Sequence, residues 1–395
     1  MQFEDIDINV IRQMLQENEE DGLFGKNVTT QPDNPEYHPI KRGANDKTVF
    51  QEMLMDSFYD GYVMRYPDPV GAVIRQPQRK FFYRGESQLY PTTMSTLGRL
   101  VSETKSVQGK EVEKLVADVK LHQFVRQICQ YENVKAFENL GITVQYQAIA
   151  QHYGFRTYMM DITSDFEVAL FFACCKFDGK TRHWAPLTAV DTEVAEEKKY
   201  GIIFRRAVLP WSMLPDEGAH PIFPIGYQPF IRCSNQTGFT IPMYEGDDLK
   251  TLNLTGMQML RFRHNPDLAQ WIYDKMKGGD LIYSKTDVLE GVAGELEEFV
   301  KSMTVDRSTL LAVLAANKSY HKWRIAKWLH AIQHHGYTIC DNPLPITPEE
   351  DAHIREKLKG FDIESFYGLK LQSRLTFKGP FTIIDGKDLV KRVEQ

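Results

Sequence analysis

The segment from Asp161 to Phe177 constrains this chain most. Asp161-Ile162-Thr163-Ser164-Asp165 leads into Phe166-Glu167-Val168-Ala169-Leu170-Phe171-Phe172-Ala173, where apolar side chains occupy nearly every side of a helix. A helix with so little polar face has to sit in the centre of its domain, covered on all sides. Ser164 or Asp165 supplies the N-cap, and the helix is expected to run from Phe166 to Phe177. Around it stand Lys80-Phe81-Phe82-Tyr83-Arg84-Gly85, which reads as a strand, and a helix over 143–153 closed by Gly154. A further short strand is expected over 157–162.

Elsewhere the pattern is mixed. A short amphipathic helix (Ile6, Val10, Ile11, Leu15) opens the chain, and a second is expected over 49–62. Residues 111–131 carry two apolar stripes on different faces, so that helix either breaks or is covered on both sides. Strands are expected over 200–209 and 230–241. Thr347-Pro348-Glu349-Glu350 is a capping box opening a helix that stops at Gly360. Strands and helices interleave irregularly, so the fold class is α+β. The chain divides into an N-terminal extension (1–78), a core (79–260) and a C-terminal part that completes it (261–395).

With 47 basic against 53 acidic residues the net charge is −6, which argues against a bulk polyanion binder but leaves a local basic groove open. Five cysteines without CxxC spacing read as free thiols of a reducing cytosol. The N-terminus reads as neither signal nor transit peptide, and the longest apolar run, 168–175, is too short to span a bilayer. A cytoplasmic protein is expected. Walker A, GxGxxG, GxSxG, HExxH and kinase signatures are missing. His330 and His334 share a helix face, but no third ligand stands at a recognised spacing. The bland reading is a helix C-terminus capped by Gly336, and no metal is expected. Tyr320, Trp323 and Trp328 read as core, and Arg261, Arg263 and His264 as a solvated face.

Polar groups crowd around the apolar helix: Arg84 and Gly85 at a strand end, His152 and Tyr153 at a helix end, then Asp161, Thr163 and Ser164. Singly, each has an ordinary structural role as cap or turn; jointly they suit a ligand cleft. These residues resemble the FRG domain, named for a Phe-x-Arg-Gly motif. The FxRG strand is Phe82-Tyr83-Arg84-Gly85. The QH(Y/H)G-x-PTRLLDWT stretch corresponds to Gln151-His152-Tyr153-Gly154-Phe155-Arg156-Thr157-Tyr158-Met159-Met160-Asp161-Ile162-Thr163, and the ALFFA helix is Ala169–Ala173. A later Arg-x3-Gln-x-Gly feature matches Arg232, Gln236 and Gly238, with Phe239 following directly. Residues 358–366 resemble the family's closing segment. The family's Pro is replaced by Arg156, its Arg by Tyr158 and its Trp by Ile162.

The resemblance implies a split, mixed or antiparallel β core like that of the ADP-ribosyltransferases, and a setting of phage–host conflict. By that analogy the chain binds NAD or a related nucleotide and transfers or hydrolyses off ADP-ribose. Arg84 would hold phosphate or ribose. Gly85, His152, Tyr153, Thr163, Ser164 and Arg232 would line the pocket, and Gln236, Glu245 or Asp161 would stand at the reacting carbon. A neutral Gln stabilises an oxocarbenium-like centre far less than a carboxylate does. The acceptor would be a protein, a nucleic acid or water. The alternative is a non-catalytic module that senses a nucleotide or a protein.

Overall fold

The computed structural model describes residues 2–27, 62–66, 71–76, 79–207, 220–252, 254, 256–341 and 343–368. Seven strands form the main sheet: β1 (Glu4–Asp5), β4 (Phe81–Glu86), β5 (Met159–Thr163), β8 (Tyr200–Ala207), β9 (Phe223–Pro224), β10 (Gly238–Pro242) and β11 (Met257–Arg263). Their order is β1-β11-β8-β4-β5-β10-β9; β1 lies parallel to β11, and the other neighbours are antiparallel. Three two-stranded sheets flank it: β2 (Tyr62–Tyr66) with β3 (Gly71–Arg75), β6 (Cys175–Asp178) with β7 (His183–Pro186), and β12 (Thr304–Asp306) with β13 (Thr338–Cys340). The class is α+β, as expected.

The apolar helix is α6 (Phe166–Cys174), with Asp165 as N-cap: its Oδ1 accepts from the Glu167 N–H. It is three residues shorter than expected, because Cys175 is already extended and begins β6. One face of the sheet (Tyr83, Ile203, Leu260, Phe262) packs on α6. The same core takes Ile11 and Met14 of α1 (Ile8–Asn27) and Leu268, Ala269 and Ile272 of α9 (Pro266–Lys275). The opposite face (Phe82, Ile162, Phe204, Phe239, Ile241) buries a second core with Val73, Ile222 and Leu249. Alternation along β4 thus sends Phe82 and Tyr83 to different cores.

The long helix α3 (Val107–Ile128) is unbroken and covered on both sides. Val112, Leu115, Val116 and Val119 pack with Leu310, Val313 and Trp328 of α11 (Arg307–Ala316) and α12 (Ile325–His334). Phe124 and Ile128 pack with Val134 and Phe137 of α4 (Glu132–Asn139) and Ile149 of α5 (Tyr146–His152). Between the stripes, buried Lys120 turns its Nζ to the carbonyls of Phe299 and Val300, at 2.8 and 2.9 Å, closing the end of α10 (Ala293–Lys301).

Three sequence expectations change, and a fourth lies outside the described residues. Residues 230–241 are not one strand: α8 (Ile231–Asn235) precedes β10, with Thr237 at φ +46° turning the chain between them. In the described part of the expected N-terminal extension the chain is integral to the core, since β1 extends the sheet and Ile11 and Met14 pack beneath it. Nor does the packing divide at residue 260, which lies inside β11. The helix expected over 49–62 falls outside the described residues, apart from Tyr62, which opens β2.

Gly85 is the tightest joint. A Cβ there would stand 1.7 Å from the Ala169 carbonyl oxygen and 3.0 Å from the Ala173 nitrogen, both backbone atoms of α6. Gly85→Ala must therefore push α6 off the sheet. It is expected to cost more than about 3 kcal/mol, which at about 2.1 cal/mol/K of unfolding entropy per residue lowers Tm by about 4 °C or more in thermal denaturation. An unchanged Tm would contradict this contact.

Candidate functional site

The main sheet parts between β4 and β5. A single pair, Tyr83 with Thr163, joins them. Continuing that antiparallel register would set Gly85 opposite Asp161, but the strands have already separated there. The Asp161 carbonyl instead accepts a hydrogen bond from an Arg84 guanidinium N–H at 2.9 Å. Arg84 Nε lies 3.3 Å from Glu86 Oε1, and Glu86 Oε2 accepts from the Thr93 hydroxyl at 3.0 Å. The Arg84 side chain remains 25 % exposed. With Phe82, Ile162, Phe204 and Ile241 it lines a small apolar cavity on one face of the seam.

On the other face, toward α6, stand Asp161 and Thr163, which alternate with the core residues Met160 and Ile162. The Thr163 hydroxyl donates to the Gln236 carbonyl at 2.6 Å and accepts from the Asp165 N–H at 2.9 Å, fixing the turn that carries Gln236 against β5. Asp161 Oδ1, Gln236 Nε2, His152 Nε2 and Ser164 Oγ are all buried without a hydrogen-bond partner. Each such atom costs about 1–3 kcal/mol, and native folds keep few of them without a reason.

Arg232 of α8 anchors the surroundings. It is buried, donates to the His152 carbonyl at 2.5 Å, pairs with Glu290, and has its Nε 3.7 Å from Asp287 Oδ2. Its guanidinium lies over the rings of Tyr153 at 4.4 Å and Tyr283 at 4.9 Å. Asp287 accepts from the Tyr153 hydroxyl at 2.5 Å and the Leu289 N–H at 3.1 Å. Burial raises the Asp287 pKa, against the pull of Arg232. Burial, aided by the Arg232 charge, lowers that of His152 and keeps its ring neutral. Burial, with the Asp161 charge adding to it, pushes the Tyr283 hydroxyl up to about 12.

Tyr283 links this polar group to an aromatic wall. Its ring is 5.5 Å from Trp184 at 31° and 6.3 Å from Phe172, and Phe172 lies 5.6 Å from Trp184. Trp184 Nε1 is a further buried donor without a partner. Planar rings beside a carboxylate, an amide and an imidazole suit a ligand that combines an aromatic ring with hydroxyls.

Of the residues singled out from sequence, His152, Tyr153, Asp161, Arg232 and Gln236 meet here, and Arg84 reaches Asp161 across the seam. Thr163 is a structural tie and Ser164 lies wholly buried beneath. What approaches the Gly85 backbone is α6, so its open Cα is already used. Glu245 is placed elsewhere. It pairs with Lys114 at 2.5 Å and Lys110 at 3.6 Å on α3, and those two cations account for its charge. Trp184, Tyr283, Asp287 and Glu290 belong to no motif that singles them out. Only the spacing of Asp287 and Glu290, three apart, could have flagged a carboxylate pair needing a cation. Among the described residues no group of three or more His, Cys, Asp or Glu could hold a metal ion, and no helix is long and apolar enough to cross a membrane.

Residues 79–182 match the FRG domain family, so the chain carries an FRG domain. The match takes in Arg84, Gly85, His152, Tyr153, Asp161, Thr163 and Ser164, whereas Arg232, Gln236, Tyr283 and Asp287 lie beyond it. No curated protein and no solved structure matches the chain.

The neutral His152 gives a pH prediction. Its folded pKa lies below the ordinary 6.5, so below that pH the unfolded chain takes up a proton that the native state refuses. The stability present above pH 6.5 is therefore lost as pH falls, by up to about 1.4 kcal/mol per unit. His152→Gln should flatten Tm against pH between about 6.5 and 5. Asp287, whose raised pKa acts in the opposite sense, is common to both proteins. Parallel curves would refute a buried neutral imidazole.

Proposed function

We propose that this FRG domain binds NAD, or a closely related nucleotide, at the β4–β5 seam and moves its ADP-ribose group to an acceptor or to water. The carrying observation is the unpartnered Asp161 Oδ1, whose charge acts both on the Tyr283 hydroxyl, which the Gln236 side chain also faces, and on the His152 ring. Aromatic stacking on Tyr283, Trp184 and Phe172 takes a planar ring of the ligand. The guanidinium of Arg84, held at the gap, takes a phosphate.

In the reaction the bond between the ribose C1′ and the nicotinamide nitrogen breaks, and its electron pair leaves with neutral nicotinamide. Positive charge gathers on the ribose, where the Asp161 carboxylate stabilises it. An acceptor oxygen or nitrogen then bonds to C1′ and gives up its proton. Glu245 is tied to α3 and Gln236 carries no charge, so Asp161 supplies the negative charge in this reading. Removing one such preorganised interaction typically costs about 10²–10³ in rate.

Purified protein incubated with NAD is expected to release nicotinamide. Asp161→Asn should slow release at least about 100-fold, and Arg84→Ala should weaken binding, seen as a raised KM. A second reading, a sensing module that binds without turnover, draws on the neutral Gln236 at the position where catalysis wants a carboxylate. It predicts an NAD-dependent rise in Tm, lost in Arg84→Ala, with no nicotinamide formed. Neither release nor a Tm shift would overturn both.

A further inference from the structure

Residues 307–340 contain no Asp or Glu, five Lys or Arg and four His, in a chain whose average would place about four or five acidic residues there. The stretch forms α11, the following turn and α12, remote in sequence from the seam. Its apolar side is consumed by the core: Trp328 is fully buried, with its indole N–H donated to the Tyr320 carbonyl at 2.9 Å. The outward side is cationic. Arg324, Lys327, His330 and His334 follow one another at helical spacings of three, three and four, and all are exposed. The His330 and His334 rings are stacked at 6.1 Å. At about 1.5 Å per residue the row is roughly 15 Å long.

Half-buried Trp323 marks the start of this row, with Lys327 Nζ 4.2 Å and Lys322 Nζ 6.0 Å from its ring centre. The acids from neighbouring elements are already engaged. Glu111 pairs with Lys114 and Lys322, Asp118 accepts from the Tyr320 hydroxyl, and Asp306 caps α11 through the Thr309 N–H. Exposed Asp341 stands 3.7 Å from Arg307. Among the described residues Lys318, Arg324 and Lys327 form no ion pair.

We infer that this α12 face is a docking surface for the phosphodiester backbone of a nucleic acid. An uncompensated cation row with interspersed imidazoles and the exposed amide of Gln333 is complementary to a regular line of phosphates. An anionic membrane would call for a broad apolar margin to insert, and along α12 Ile325, 50 % exposed, is the single large apolar residue turned outward. The surface is independent of the seam and of the NAD reading.

The test is fluorescence anisotropy of the full chain at about 50 mM salt with labelled 20-base-pair DNA and RNA duplexes of arbitrary sequence, and with phosphatidylserine vesicles as a separate arm. The double variant Arg324→Glu/Lys327→Glu should bind nucleic acid at least about tenfold more weakly. Its slope of log K against log salt should be shallower by about 1.8, from two lost phosphate contacts. Lys180→Glu/Lys359→Glu makes the same change in net charge elsewhere and should bind like the parent. Equal Tm values for all three proteins show that folding is not the cause. The two duplexes separate DNA from RNA as the source of the phosphates. Absence of duplex binding, equal losses in the two double variants, or binding confined to the vesicles would each overturn the proposal.

Discussion

The missing side chain at Gly85 lets the Ala169 carbonyl come to where a Cβ would otherwise stand, so α6 lies directly on the backbone of β4. The rest of the architecture follows from that contact. A nine-residue helix, apolar nearly all round, is driven against one face of the sheet and must be covered by α1 and α9 on its other sides. Its N-terminus is fixed by Asp165, which is bonded in turn to Asn18 of α1 at 3.1 Å and paired with Arg79 at 2.9 Å. With α6 seated there, β4 keeps one backbone pair with β5, and the sheet opens beside it.

An opening in a sheet leaves backbone groups to be satisfied by something other than a strand. Arg84 does this for the Asp161 carbonyl, which brings a guanidinium to the gap without any strand partner. On the far side, the turn at Thr237 and the bond from Thr163 to Gln236 press a second set of polar side chains toward the same strand. Arg232, Asp287, Glu290 and Tyr153 pair with one another there, although Arg232 Nε, like atoms of Asp161, Gln236 and His152, makes no hydrogen bond.

Much of this was legible from local pattern. The all-round apolar helix, the Arg-Gly strand end, the capping box at Thr347 and the two-faced α3 each follow from short-range rules, and the structure carries all of them. The misreadings came from long-range effects. Residues 230–241 read as a strand, yet buried Arg232 has to reach Glu290, and a helical turn delivers it. The N-terminal helix reads as an extension because nothing in its sequence tells that Ile11 and Met14 find α6. Tyr283 and Trp184 carry no motif, and they matter because α6 and the β6–β7 hairpin meet the segment before α10. The acid-free stretch at 307–340 was visible as composition, but its outward row emerges only once Trp328 is seen to point inward.

In the proposed function the unpartnered atoms at the seam await a nucleotide. A crystal structure of the protein with NAD, or with an analogue whose nicotinamide bond resists cleavage, tests it most directly. Ligand density is expected between Arg84 and Tyr283, with Asp161 Oδ1 and Gln236 Nε2 within hydrogen-bond distance of the ribose. Ligand bound elsewhere, or those same atoms satisfied by ordered water at saturating NAD, would contradict it.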